Sequence, residues 1–326
     1  AFSPDETQIA LVVRGEIFVC SFEDGSTGDA MRVTDSPYRE KDIEWTPDGS
    51  ALLYSSDIEG NYDIYSVSSS DEEEPDLAGA LKRETVRLTD SPEDDFRPMA
   101  SPDGESIAYM HAAEQLMRMN ADGSGKRSVT GGSEVLHADW SPDSKWIAFS
   151  QTTMAHKEDI FIVPSEGGDA VNVSAHPNDD FQPVWSDDGR RLSFASRTED
   201  GQFSLKYMWL RRDDYWMTED EREEDLEADP DAEEEEAPEV LIDFDAMNER
   251  TETVVTVRGG YDFYDQTPDG HYYAFRSSSL GQDELWLVDW QGDQLQQVTR
   301  GGCDPRGLYW DNDGSTCYYI SGGRVS

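Results

Sequence analysis

Lysine is nearly missing from this chain, with 6 among 326 residues, and cysteine (3) and histidine (5) are scarcer still. Each shortage excludes a class of protein. Cys20, Cys303 and Cys317 are odd in number and lack metal-ligand spacing, which removes a disulfide framework and a zinc site. The histidines are scattered and form no H-E-x-x-H pair. No apolar run approaches the roughly 20 residues of a membrane-spanning helix. Helical periodicity is scarce, and no G-x-S-x-G nucleophile elbow occurs. Gly123-Ser124-Gly125-Lys126 lacks the first glycine of a phosphate loop and lies between two strand-like runs, so it reads as a hairpin turn. No catalytic residue, metal or cofactor follows from these patterns.

Acidic residues are abundant: 71 Asp and Glu face 26 Lys and Arg, for a formal net charge of −45. Such a field repels nucleic-acid phosphates and anionic membrane surfaces, so neither is an expected partner. An aromatic content of 11% argues against a disordered acidic chain. The acids are spread over the loops, and with Lys so depleted they read as adaptation to a high-salt interior. There, screening over about 3 Å at molar ionic strength relieves self-repulsion.

A turn motif recurs seven times. It begins at Ser3-Pro4-Asp5, Thr46-Pro47-Asp48-Gly49, Ser101-Pro102-Asp103-Gly104, Ser141-Pro142-Asp143, Ser186-Asp187-Asp188-Gly189, Thr267-Pro268-Asp269-Gly270 and Asp311-Asn312-Asp313-Gly314. Pro presets φ, Asp bonds back to its own backbone, and Gly takes the left-handed position. A short apolar run such as Ala51-Leu52-Leu53-Tyr54 or Ile147-Ala148-Phe149 follows each turn. The turns start 43, 55, 40, 45, 81 and 44 residues apart. Roughly 40–45 residues is the length of one four-stranded propeller blade. The two long intervals carry insertions, a short acidic one at 68–76 and a long acidic one at 213–239 within the fifth blade.

The sequence therefore predicts an all-β fold, a β-propeller of four-stranded antiparallel blades with seven blade positions, forming a single domain over 1–326. Because the first turn starts at Ser3 and the last at Asp311, the reading expects a piece of a longer chain. It expects a first blade without most of its first strand and a seventh without its outer two. Large rings precede most turns (Phe2, Trp45, Trp140, Trp185, Trp310) and are expected as inter-blade core. Asp311-Asn312-Asp313-Gly314 has the composition of a calcium loop, yet it holds the repeat's turn position and lacks the distal Glu. The long insertion is expected as a solvent-exposed excursion with a short helix over Glu219 to Leu226.

One set of positions is placed to touch a partner. Four residues before the turns stand Asp42, Arg97, His137, Gln182, Phe263 and Gly307, on the segment entering the innermost strand. In a propeller that connection lies near the mouth of the central channel, where a mixed polar ring meets a threaded chain or a docked partner. The plainer use of these side chains is to satisfy loop backbone and water, and the sequence leaves both open.

Certain stretches resemble the second propeller of tricorn-type serine proteases. They are Gly15-Glu16-Ile17-Phe18-Val19, Phe181-Gln182-Pro183-Val184-Trp185 with the residues following to Arg197, and Val240-Leu241-Ile242-Asp243-Phe244-Asp245-Ala246-Met247-Asn248-Glu249-Arg250 followed by Gly260-Tyr261. The last is similar to that family's segment re-entering the propeller after an excursion, with Gly260 in place of the usual Asn. The repeats are also similar to TolB-like propellers. The tricorn resemblance implies a cytoplasmic, oligomeric peptidase whose propeller passes peptide substrates towards a serine-protease core lying C-terminal to it, in contact with other domains of the parent. It implies no catalytic residue within this chain. The alternatives are a TolB-like scaffold that binds a protein partner, and a propeller with its own small-molecule chemistry, for which clustered His or paired carboxylates are missing.

Overall fold

In a computed structural model of the chain, six of the turns are built from one hydrogen-bond set. The Ser or Thr hydroxyl donates to the Asp Oδ1 two residues on, at 2.5–2.7 Å, from Ser3, Thr46, Ser101, Ser141, Ser186 and Thr267. The same hydroxyl accepts the N–H five residues on, which opens the next strand, as from Gln8, Ala51, Ser106, Trp146, Arg191 and Tyr272 at 2.9–3.1 Å. At the seventh turn Asp311 takes the hydroxyl's place and accepts the N–H of Thr316 at 2.9 Å. The left-handed position is held by glycine where the sequence has one, with φ of 69° at Gly49 and 65° at Gly270, and by Glu6 (58°) and Ser144 (59°) where it does not. The structure describes all residues except 24, 113, 132–133, 155, 219–220, 222–237, 259–260, 279–280 and 326.

The strands assemble into seven antiparallel sheets, one per repeat, and the fold is a seven-bladed β-propeller. The first blade holds β1 (Gln8–Val13), β2 (Glu16–Glu23), β3 (Ser26–Thr27) and β4 (Met31–Arg32), with Phe2 bridging Ile9 where a preceding strand would lie. The second is β5 (Glu40–Trp45), β6 (Ala51–Ser56), β7 (Asp63–Ser69) and β8 (Arg83–Arg87). The third is β9 (Asp95–Ala100), β10 (Ser106–His111), β11 (Gln115–Asn120) and β12 (Arg127–Ser128). The fourth runs β13 (Val135–Trp140), β14 (Trp146–Thr152), β15 (Glu158–Pro164), β16 (Val171–Asn172). The fifth runs β17 (Asp179–Trp185), β18 (Arg191–Arg197), β19 (Gln202–Trp209), β20 (Thr251–Arg258). The sixth runs β21 (Tyr261–Gln266), β22 (Tyr272–Ser277), β23 (Glu284–Asp289), β24 (Gln296–Gln297). The seventh has three strands, β25 (Arg306–Trp310), β26 (Cys317–Ser321) and β27 (Arg324–Val325). It is therefore short by one strand rather than two, because Gly322 and Gly323, both at positive φ, turn the chain back so that Val325 pairs with Ile320.

The chain divides into two compact units, one of Ala1–Val135 with Ser165–Gly168 and the other of Leu136–Pro164 with Asp169–Ser326. Within the first, Trp45 packs with Ala10, Ile17 and Val19 of the first blade and with Leu52, Tyr54 and Val67 of its own. Within the second, Trp185 packs with Ala148, Ile160 and Ile162 of the fourth blade and Leu192 and Phe194 of the fifth. The rings before the turns are thus inter-blade core at these two positions. Burial of each fully enclosed Leu, Ile or Phe here contributes about 1.5–3 kcal/mol.

A second clasp closes five blades. The N–H of the second or third residue of β2, β7, β11, β15 and β23 donates to a Ser or Thr hydroxyl on the closing segment: Ile17 to Thr34, Ile64 to Thr89, Leu116 to Thr130, Ile160 to Ser174 and Leu285 to Thr299, at 2.8–3.1 Å. The closing strands are only two residues long in most blades, and this bond holds a segment too short to form a full ladder.

The short insertion lies between β7 and β8, and Leu77 and Ala80 just beyond it are buried in the first unit's core. The long insertion leaves after β19 and returns before β20, and its first residues are structured. Helix α1 (Arg212–Trp216) carries Asp214, which is buried and ion-paired to Arg190 at 2.9 Å. The exposed excursion therefore begins beyond Asp213, later than its composition indicates. Thr218 and Glu221 then form a capping box: Glu221 Oε2 accepts the Thr218 N–H at 2.8 Å, and Thr218 Oγ1 accepts the Glu221 N–H at 3.3 Å. Apart from Glu221, the expected helix from Glu219 to Leu226 lies outside the described residues.

Candidate functional site

Four of the six positions that stand four residues before the turns share a backbone conformation that their side chains do not announce. Asp42, Arg97, Gln182 and Gly307 sit at φ of 52°, 51°, 55° and 57°. At each, the pairing of the first strand with the second shifts register, between Lys41 and Glu44, Phe96 and Met99, Phe181 and Val184, and Arg306 and Tyr309. A bulge of this kind inserts a residue and re-aims the side chains around it. Glycine accepts that φ freely. Asp, Arg and Gln adopt it at a cost of about 1–2 kcal/mol each.

Asp42 and Arg97 are brought together within the first unit. Asp42 Oδ2 accepts the Arg97 backbone N–H at 3.3 Å, and Ser55 Oγ, itself 3.3 Å from Asp42 Oδ2, accepts the same N–H at 3.2 Å. Lys41 Nζ lies 3.2 Å from Asp42 Oδ2 and sits over the Tyr62 and Phe96 rings, 4.2 and 4.6 Å from their centroids. In the second unit His137 Nδ1 lies 3.3 Å from Ser150 Oγ and 3.6 Å from Glu158 Oε1, with its ring 6.5 Å from that of Phe181. Gln182 Nε2 donates to the Tyr264 carbonyl at 3.3 Å, and the Tyr264 hydroxyl donates to the Gln182 carbonyl at 2.8 Å. These residues thus fasten successive blades to one another while their surroundings stay polar and aromatic. The Phe263 side chain lies outside the described residues.

Sequence reading missed the carboxylates two residues before the turns. Glu44 Oε1 accepts the Ala100 N–H at 2.8 Å in the first unit, and Asp139 Oδ2 accepts the Trp185 N–H at 2.9 Å in the second. Loss of hydration pushes Asp139 and Asp265 each up to about 7, and Asp187 up to about 6. The Asp187 charge adds to both of the first two shifts, and Asp139 adds to that of Asp265. An acid at the same offset in three repeats was the available signal. Among the described residues, no group of three or more His, Cys, Asp or Glu is placed to hold a metal ion, and no helix is long and apolar enough to cross a membrane.

The segment resembling the tricorn re-entry is structural. Val240 and Met247 are buried in the fourth-to-fifth blade core, with Ile242 and Phe244 against it. Arg250 is 3% exposed, and its guanidinium gathers carbonyls of Trp209 (3.0 Å), Leu210 (3.2 Å), Asp245 (3.0 Å) and Asp243. Asp243 Oδ2 accepts the Arg212 N–H at 3.0 Å. The Ile-Asp…Arg pattern thus closes the base of the insertion.

No protein-family model matches the chain. It is 28% identical over 171 residues to the uncharacterized peptidase YuxL of Bacillus subtilis (strain 168), a match spanning 52% of this chain and 24% of that protein. Its fold is similar to the crystal structure of the tricorn protease, with a TM-score of 0.67 and 14% identity over 98% of this chain and 32% of that one. It is also similar to a putative TolB from Agrobacterium tumefaciens, with a TM-score of 0.56 and 18% identity over 90% of this chain and 94% of that one. The chain thus matches about a quarter of its curated relative's length and a third of the tricorn chain. The two structural likenesses show the propeller fold.

Proposed function

We propose that this chain is the non-catalytic propeller of a tricorn-like peptidase, gating or channelling peptides towards a serine-protease core encoded C-terminal to it. The observation that carries the reading is the match to a peptidase over half of this chain but only a quarter of that protein. A propeller aligned to part of a peptidase is a module beside the chemistry, not the chemistry. The missing nucleophile elbow agrees with this. Asp42, Arg97, His137, Gln182 and Phe263 are the proposed peptide-facing residues, on the strand segment leading into each turn, which bulges re-aim at Asp42, Arg97 and Gln182. Oligomerisation, peptide partners and a cytoplasmic setting belong to the same proposal.

The reading is tested by incubating the purified chain with fluorogenic peptides, alone and joined to the region that follows it in its gene. Turnover only in the longer protein is expected. Turnover by the chain alone, or a downstream region without a serine-peptidase sequence, overturns it. A TolB-like scaffold is the second reading, favoured by the 94% coverage of the Agrobacterium protein. It predicts stable capture of a folded protein partner and no peptidase downstream.

A further inference from the structure

Arg212, Tyr215 and Trp216 of helix α1 and Ala246, Glu249 and Arg250 of the re-entering segment border one cavity of about 330 Å3. All six belong to the second unit. Trp216 is 75% exposed, and its ring centroid stands 5.1 Å from that of Tyr215 at an interplanar angle of 65°. A single exposed ring is ordinary on a protein surface. Trp, Tyr and Arg gathered around a cavity are another matter, since these are the residue types that carry binding energy.

The backbone beneath the rings is fixed before any guest arrives. Asp214 pins α1 to Arg190 at 2.9 Å, and Asp243 Oδ2 accepts the Arg212 N–H at 3.0 Å. Arg250 is held by the main-chain carbonyls of Trp209, Leu210 and Asp245. A wall already in place costs little to order on binding. Arg212, its side chain half exposed, gives only Nη2 to the protein, to the Asp245 carbonyl at 3.1 Å and to Asp245 Oδ2 at 2.8 Å. Its Nε and Nη1 have no partner among the described residues.

We infer that this cavity takes an aromatic side chain of an extended peptide: phenylalanine, tyrosine or tryptophan. A cavity of about 150 Å3 already holds benzene, so the space accommodates a ring together with its stem. The guest ring packs against Trp216 and Tyr215 and presents its electron-rich face to the Arg212 guanidinium. The open N–H groups of Arg212 are left for a carbonyl of the guest's backbone. Charge narrows the choice. Two arginines against one glutamate line the cavity and turn away a lysine or arginine. Asp243 and Asp245 beside Arg212, with the net charge of −45 behind them, turn away a carboxylate. A neutral guest remains, and an aromatic one gains from the guanidinium where an aliphatic one does not. This inference does not depend on the peptidase reading, because it needs binding and no turnover.

The test is calorimetric titration of the whole chain with capped pentapeptides that differ only at a central phenylalanine, cyclohexylalanine, glutamate or lysine. Cyclohexylalanine keeps the apolar bulk of phenylalanine and lacks its π face. Work in about 1 M KCl screens diffuse effects of the exposed charges. Saturable one-to-one binding of the phenylalanine peptide is expected. It should be about threefold or more tighter than the cyclohexylalanine peptide and about tenfold or more tighter than either charged one. Trp216→Ala should lower that affinity about tenfold or more and leave the melting temperature unchanged, because the ring lies outside the core. Equal or tighter binding of any other peptide, no saturable binding, or an unchanged affinity in the folded variant each overturns the inference. Should Trp216→Ala not fold, Arg212→Gln takes its place: it should reduce the preference for phenylalanine over cyclohexylalanine, and an unchanged preference overturns the inference.

Discussion

Asp139 holds Trp185 at two points: its Oδ2 accepts the Trp185 backbone N–H at 2.9 Å, and its main-chain carbonyl accepts the indole N–H at 3.1 Å. The carboxylate thereby satisfies a backbone donor of the neighbouring blade while the ring fills the core between them. Asp139→Ala leaves that N–H without a partner and is expected to cost about 1–3 kcal/mol in urea unfolding. Asp139→Asn retains an acceptor and should cost clearly less. Equal losses would mean that the negative charge, not the acceptor, is what the site needs.

The same carboxylate sets a pH dependence of unusual sign. Asp139 and Asp265 stand at about 7 and Asp187 at about 6 in the folded chain, above the ordinary carboxylate range. The native state binds more protons than the unfolded one between the two pKa values, so stability falls as pH rises through that window. The melting temperature should decline from about pH 5 to about pH 8 through these three groups, and Asp139→Asn with Asp265→Asn should flatten the decline. A wild-type curve that rises over this range would refute the assignment.

Arg250 is expected to be irreplaceable. Its planar fork reaches four carbonyls from a buried position, and lysine can neither span them nor lie as flat. Both Arg250→Lys and Arg250→Met should lose about 3 kcal/mol or more, since several carbonyls are left unsatisfied at once. A lysine variant within experimental error of wild type in urea unfolding would show that water can take over the role.

The long insertion should be removable only in part. Replacing 219–237 by a short Gly-Ser bridge is expected to leave folding intact, because it spares Asp214, Arg250 and the core residue Val240. Removing 213–239 deletes Asp214 and strands Arg190, and a broken buried ion pair costs about 3–5 kcal/mol. Circular dichroism melts of the two deletions should therefore differ. Coincident melts would mean that the Arg190–Asp214 pair is dispensable.

Salt should stabilise the chain. With 71 acidic residues against 26 basic ones, repulsion at low ionic strength opposes the compact state. A melting series from dilute buffer to molar KCl should climb steadily. A flat series would remove support from the high-salt reading.

The turns were legible in sequence because each is a local device, closed by Ser or Thr, Asp and Gly within five residues. Trp45 and Trp185 were legible as core because one large ring recurs at one offset. The partners were not legible. Nothing in the sequence pairs Asp42 with the backbone of Arg97, since the bond joins residues 55 apart and the acceptor meets a main-chain group, which has no sequence identity. Asp214 looked like one more charge in an acidic run, and only the fold brings Arg190 to it. The strand Arg324–Val325 was missed because two residues make too short a pattern to read, and the glycines before it supply the turn.

The repeated bulge gives the first strands a division of labour along their length. Side chains in a regular strand alternate strictly, so a substitution that alters one face leaves the other unchanged, and the two faces keep the same assignment from end to end. The left-handed residues at 42, 97, 182 and 307 break that assignment midway. Residues past the break, such as Trp45 and Trp185, answer to the packing of neighbouring blades, and those before it answer to other neighbours. The entrance of each such strand is thereby released from the constraints on its core half. Sequence can drift at the one without a compensating change at the other, which is how a rigid repeat acquires a varied surface.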